Sequence, residues 1–220
     1  MSRYDAVLLD AYGTLVELDD PYRRLGDALR RHYGVDAPPP DVERAFRAEM
    51  DYYAEHCHRG RDHDSLLALR RECAAIVLDE LGIAADPAEA VDDLVEAIRF
   101  RVFDDVPPLL AAVRRRGLAT AVVSNWDHTL PEVLAEAGLP FDVVVDSASA
   151  GTSKPDPRIF AVALERIGVA PARALHVGDT AEADGEGARA AGIDAVVLRR
   201  GGPAEPGRVA SLAEVVPLLG

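Results

Sequence analysis

The segment DAVLLD at 5–10 runs apolar without alternation and ends in a carboxylate. So short a run with no polar beat fits a strand buried on both faces of a parallel sheet. LATAVVS at 118–124, RALHVG at 173–178 and IDAVVL at 193–198 repeat the pattern, and Phe141 to Val145 repeats it more weakly. Between them, helical patterns run over 107–116, 130–137, 157–167 and 181–191, closed by Gly117, Gly138, Gly168 and Gly192. This alternation predicts an α/β fold: a doubly wound, Rossmann-like parallel sheet that binds ligands at the carboxyl ends of its strands.

One segment breaks the rhythm. From about Glu17 to Arg101 no strand-like run occurs, and amphipathic helical patterns follow one another. Asp20-Pro21 and Asp86-Pro87 each open a helix in cap-then-proline order. Two more are expected over 41–55 and 65–81, separated by the polar stretch HCHRGRDHD at 56–64. The chain thus divides into a core of 1–16 with 102–220 and an all-helical insertion at 17–101. APPP at 37–40 reads as a turn and 201–207 as a Gly/Pro-rich tail. No internal repeat is visible.

Composition narrows the partners. With 49% apolar and 28% charged residues the chain is an ordinary globular one, and 220 residues suffice for a sizeable core. A formal charge of −14 argues against nucleic acid and anionic membrane, both of which need a surplus of Lys and Arg. A small anionic molecule is the expected partner, bound by a monomer or homodimer. The opening apolar run is too short for a secretory leader, and no stretch reaches the roughly 18 apolar residues of a membrane span, so a cytoplasmic location is expected. Cys57 and Cys73 read as reduced thiols rather than a disulfide framework.

Four polar groups fall where the predicted strands end or helices begin: Asp10 to Thr14, Ser124-Asn125, Lys154, and Asp179 with Asp184. A doubly wound sheet brings such ends to one crevice. A lone strand-end Asp is usually a turn residue. Beside Asp10, however, Gly13 permits a sharp reversal and Thr14 offers a hydroxyl, which places the carboxylate to attack an electrophile. Thr129 with Glu132 forms a capping box in the sequence, which leaves Ser124 free for a ligand oxygen. Lys154, between stiffening prolines, would offset the charge of Asp10 and of an anion. Asp10, Asp179 and Asp184 together make a hard-oxygen site suited to Mg²⁺. In HCHRGRDHD the ligand-type residues lack the paired spacing of structural zinc, so an exposed loop that gates substrate is the better reading. Trp126 and Tyr12 each read either as pocket lining or as packing, with packing slightly the better reading for Trp126.

DAYGT at 10–14, SN at 124–125, KPDPRIF at 154–160 and GDTAEAD at 178–184 together resemble, in order and spacing, the four signature motifs of the haloacid dehalogenase superfamily. The helical insertion after the first motif is similar to that superfamily's helical cap. The resemblance implies Asp10 as covalent nucleophile, with Ser124 and Lys154 binding the substrate anion; Tyr12, Thr14 and Asn125 beside them are further candidates for contacting it. It also implies Mg²⁺ held by Asp10, the Tyr12 carbonyl and Asp179, with Asp184 at or near the metal.

Two features pull against each other. Phosphatases of the superfamily carry a second aspartate two residues after the nucleophile, and this chain has Tyr12 there. A phenol, with an ordinary pKa of about 10, is a poor proton donor to an alkoxide at neutral pH. The superfamily's dehalogenases show such a tyrosine, and Arg47 falls where their cap presents an arginine to the departing halide. Those dehalogenases, however, replace the metal-binding Gly-Asp that is retained here as Gly178-Asp179. A Mg²⁺-dependent phosphatase acting on a small phosphorylated metabolite is therefore the leading expectation. A 2-haloacid dehalogenase is the alternative, and a binding protein with little turnover the third reading.

Overall fold

The computed structural model describes residues 2–202, 205 and 207–220. Position 1 and part of the Gly/Pro-rich tail expected over 201–207 lie outside the described residues. In chain order the elements are β1 (Ala6–Leu9), β2 (Val16–Leu18), α1 (Pro21–Tyr33), α2 (Pro39–His56), α3 (His63–Leu81), α4 (Pro87–Ala97) and β3 (Phe100–Val102). They continue with α5 (Val106–Arg115), β4 (Ala119–Ser124), α6 (Leu130–Glu136), β5 (Val143–Asp146), α7 (Ser147–Ala150), α8 (Pro157–Ile167) and β6 (Ala174–Gly178). Last come α9 (Gly187–Ala190), β7 (Asp194–Leu198) and β8 (Arg208–Val209). A π-helical turn, Ala181–Glu186, leads into α9, and a 3₁₀ segment, Leu212–Leu219, follows β8.

The chain forms two compact units, Met1–Glu17 with Val102–Gly220, and Leu18–Arg101. The first holds a parallel six-stranded sheet in the order β5-β4-β1-β6-β7-β8. All four residues of β1 are buried, since its neighbours on both edges are strands and both faces are covered. Ala6 and Leu8 join Ile159, Phe160 and Ala163 of α8 in one apolar cluster, while Val7 and Leu9 are fully buried on the opposite face. The order reverses at β1: β4 lies on one side and β6 on the other. That is the position at which the loops leaving the strands diverge and open a crevice.

The second unit is helical, with Leu25 and Leu29 of α1, Phe46 of α2, Leu69 and Val77 of α3 and Leu94 of α4 in its core. Its entry and exit carry the short strands β2 and β3, paired with each other, where no strand is expected from the pattern; three residues are too few to show alternation. Asp20 does not cap α1. It sits at φ 51° with no side-chain cap bond, and its carboxylate accepts instead from Arg23 Nε. Asp86 does cap α4, accepting from Ala88 N. Cys57 and Cys73 are both buried, and neither is in a disulfide among the described residues. At the end of the 56–64 stretch, Asp62 builds a reciprocal cap on α3 with Ser65.

Glu49 on α2 is the anomaly of this core. It is 2% exposed, and its Oε2 has no hydrogen-bond partner among the described residues. Burial pushes its carboxyl up to about 7, against the Cys73 thiol, which bonds it and pulls the other way. The unfolded chain ionises this group near 4.5 while the folded chain keeps the proton to about 7, so stability falls as pH rises through that window. The full cost above it is about 3 kcal/mol. Glu49→Gln should remove this slope. By urea unfolding, the stability of the variant relative to the parent is expected to grow by about 2–3 kcal/mol between about pH 5 and pH 8. A pH-independent difference would mean that Glu49 is charged in the folded state.

Candidate active site

The crevice at the carboxyl end of the sheet gathers residues from four segments. Asp10 directly follows β1, and its N–H donates to Val177 O at 3.0 Å, which ties it to β6. Ser124 is the last residue of β4, Gly178 the last of β6, and Lys154 opens the turn before α8. One carboxylate oxygen takes both bonds: Ser124 Oγ donates to Asp10 Oδ1 at 2.8 Å and Lys154 Nζ donates to the same atom at 2.6 Å. Lys154 Nζ also donates to Asp184 Oδ1 at 2.6 Å. Asp184 Oδ1 in turn meets His176 Nε2 at 2.9 Å, and its Oδ2 accepts from Thr180 N at 2.9 Å. Asp10, Ser124, Lys154, His176 and Asp184 are all buried.

Glycines make this convergence possible. Gly13, at φ +77°, lies so near Asp179 that a Cβ there would overlap Asp179 Oδ2. A Cβ on Gly178 would overlap the Asp184 carboxylate. The π-helical turn at 181–186 widens the backbone by one residue, with Gly185 N bonded to Thr180 O, and so turns Asp184 inward.

Carboxylate oxygens of Asp10, Asp179 and Asp184 all lie within 4.8 Å of one another, and no other cluster of this kind is present among the described residues. Their electrostatics follow from burial and mutual repulsion. Burial pushes Asp10 up, with Asp184 adding to the shift and Lys154 opposing it. Burial, then the Asp10 and Asp184 charges, lifts Asp179 to about 6. Asp184 is held well below the usual range despite its burial, by Lys154 and His176. For Lys154 burial works against the charge, but Asp10 and Asp184 outweigh it and keep the ammonium above its ordinary value. Three carboxylates thus face one ammonium. The surplus of negative charge, carried on hard oxygens, fits a divalent cation such as Mg²⁺.

Several residues sit differently from what the sequence pattern implies. The Thr129–Glu132 capping box does not form: Thr129 is already helical, and its hydroxyl donates to Asp127 Oδ1 at 2.6 Å. Ser124 is therefore not left idle for a ligand by that cap; it is bonded to Asp10. Asn125 is committed to Lys154, its Nδ2 donating to Lys154 O at 3.0 Å and its Oδ1 accepting from Lys154 N at 2.8 Å. Both of its side-chain atoms thus tie the backbone of Lys154 to the end of β4. Thr14 is fully buried, and its hydroxyl has no hydrogen-bond partner among the described residues. Tyr12 is 41% exposed. Arg47 belongs to α2 of the helical unit, where it is exposed and donates to Glu43 at 2.5 Å. Trp126 is buried, as its reading as packing expects.

His176 is the site residue that sequence reasoning passed over. Its signal was present: a histidine interrupting the apolar run of β6. It is fully buried, packs edge-on against Phe160, and supports Asp184. Arg200 was also missed. It bonds the carbonyls of Gly13 and Thr14 from far along the chain, and nothing local in its sequence marks it.

A model of the haloacid dehalogenase-like hydrolases matches residues 4–192 of this chain. The chain belongs to that family. Haloacid dehalogenase-like hydrolase domain-containing protein 3 of Mus musculus is 33% identical over 86% of this chain and 79% of its own length. A phosphatase of Mycobacterium tuberculosis is 34% identical over 97% of this chain and 96% of its own. Among solved structures, the L-2-haloacid dehalogenase of Xanthobacter autotrophicus superposes with a TM-score of 0.71 at 26% identity, over 98% of both chains. Haloacid dehalogenase-like hydrolases thus supply both chemistries that the sequence left open. No helix among the described residues is long and apolar enough to cross a membrane.

Proposed function

We propose that this hydrolase is a Mg²⁺-dependent phosphatase of a small phosphorylated metabolite, working through Asp10 as covalent nucleophile. The observation that carries the reading is the three-carboxylate cluster, two of its members buried and Asp179 exposed, because a dehalogenase that expels halide needs no such accumulation of negative charge. Asp10, the Tyr12 carbonyl, Asp179 and Asp184 would hold the cation, which when bound neutralises charge on the substrate oxygens. Lys154 and Ser124 fix Asp10 through Oδ1. An Asp10 carboxylate oxygen then attacks phosphorus, an acyl–phosphate bond forms, and the ester oxygen leaves. Water hydrolyses the acyl phosphate, releasing inorganic phosphate and restoring Asp10. In this reading Leu18–Arg101 is the helical cap of the capped branch of the family, and Arg47 on it and Tyr12 on the nucleophile loop of the core are candidates for contacting the substrate anion.

Tyr12, standing where a proton-donating carboxyl is wanted, favours substrates whose leaving group departs unprotonated. It also supports 2-haloacid dehalogenation as the second reading. The discriminating test is release of phosphate from an aryl phosphate and of chloride from a 2-chloroacid, each with and without Mg²⁺. Phosphate release that needs the metal is expected. Metal-independent chloride release without phosphate release would assign the dehalogenase instead. Neither, with tight binding of a phosphorylated ligand, would mark a binding protein.

A further inference from the structure

The guanidinium of Arg200 reaches the loop that carries the nucleophile. Its Nε donates to Gly13 O at 3.2 Å and its Nη2 to Thr14 O at 2.7 Å. The same group pairs bidentately with Asp105, at 2.9 Å to Oδ2 and 3.0 Å to Oδ1. One face lies 3.6 Å from the centre of the Phe103 ring. Asp105 Oδ2 also accepts from Leu212 N at 2.9 Å, so the acceptor is itself fixed. A rigid fork held by a carboxylate and an aromatic face has little freedom left, and it passes that order to whatever else it bonds.

What it bonds is the part of the site with the least tolerance. Gly13 adopts a left-handed conformation directly against Asp179, with no space for even a methyl group. Asp10 is three residues earlier on the same turn, where Leu15 N and Val16 N both donate to Ala11 O. Movement of the Gly13 and Thr14 peptides would therefore change the separation of Asp10 and Asp179. We infer that Arg200 is a positioning residue: by gripping the Gly13 and Thr14 carbonyls it sets Asp10 against Asp179 for the reaction. The inference rests on the nucleophilic role of Asp10. The bland alternative is that Arg200 merely staples the C-terminal segment to the core through Asp105.

The test compares Arg200→Ala, Arg200→Lys and Asp105→Asn with the parent for kcat and KM on an aryl phosphate, for Tm, and for Mn²⁺ affinity by calorimetry. Loss of such an outer support typically costs about 10–100-fold. Arg200→Ala is expected to lose kcat on that scale with KM changed less than about threefold and Mn²⁺ affinity weakened about tenfold. Added millimolar guanidinium should restore part of kcat. Arg200→Lys should recover little, because three N–H groups radiating from one nitrogen cannot reproduce four bonds made from three separate nitrogens of a planar fork. A lowered Tm with kcat and Mn²⁺ affinity unchanged, or a change in KM alone, overturns the inference in favour of the staple. Failure of the nucleophile reading shows separately, as turnover absent from the parent or indifferent to Asp10→Asn. Mn²⁺ affinity then decides on its own: weakened binding in Arg200→Ala sustains the positioning role, and unchanged binding overturns it.

Discussion

Asp10→Asn is expected to abolish turnover, by at least about 10⁴-fold in kcat, while leaving the fold as stable as the parent or more so. The first half follows from chemistry. An amide lacks the nucleophilic oxygen pair, and no other carboxylate stands in the same place: Asp184 is committed through both oxygens to Lys154, His176 and Thr180. The second half follows from charge. Asparagine keeps an oxygen able to accept from Ser124 Oγ and Lys154 Nζ, as Asp10 Oδ1 does. It also deletes one of three mutually repelling carboxylates, and that repulsion contributes to holding Asp179 at about 6. The checks are kcat on an aryl phosphate and Tm at neutral pH without metal. Turnover within tenfold of the parent would remove Asp10 from the chemistry, and a collapse in Tm would mean that its charge is a structural requirement.

The same balance of local and distant causes explains what could be read in advance. The strands β1, β4 and β6 were legible because a strand flanked by strands and covered on both faces must be apolar throughout, and few other structures demand that. The helix ends were legible because Gly117, Gly138, Gly168 and Gly192 all take positive φ, a requirement of the residue itself. Asp10 and Asp179 announced themselves by lying just after such strands, and Lys154 and Asp184 by lying at the entrances to helical segments. Where two local partners compete, pattern fails. Thr129 has a glutamate three residues on, yet its hydroxyl goes to Asp127, two residues back. Where the partner is remote, pattern is silent: Asn125 owes its role to the backbone of Lys154 and Arg200 to the carbonyls of residues 13 and 14.

Lys154→Met is expected to be as damaging to catalysis as a loss of about 10³-fold, and unlike Asp10→Asn it should also destabilise the protein. The ammonium is buried between Asp10 and Asp184, 2.6 Å from each. A thioether fills the volume but leaves two buried carboxylates without their cation, and breaking a buried pair by removing one partner costs about 3–5 kcal/mol. For a chain of this size that is about 10 °C in Tm. The pH dependence has a definite sign. Without Lys154 the carboxyl of Asp10, already raised by burial, loses the main group opposing that shift. Its charged form is disfavoured in the fold, so the deficit should be largest at alkaline pH and shrink as pH falls and the folded state takes up the proton. Mg²⁺ should restore part of the lost Tm and little of the lost turnover, since a cation in the carboxylate cluster replaces the charge but not the hydrogen bond that orients Asp10 Oδ1. Thermal melts at acid, neutral and alkaline pH, with and without Mg²⁺, give the answer. An unchanged Tm at neutral pH would show that Lys154 does not neutralise the pair. The two variants share one loss and separate on the other: removing a negative charge from an overcharged site relieves it, and removing its one ammonium does the reverse.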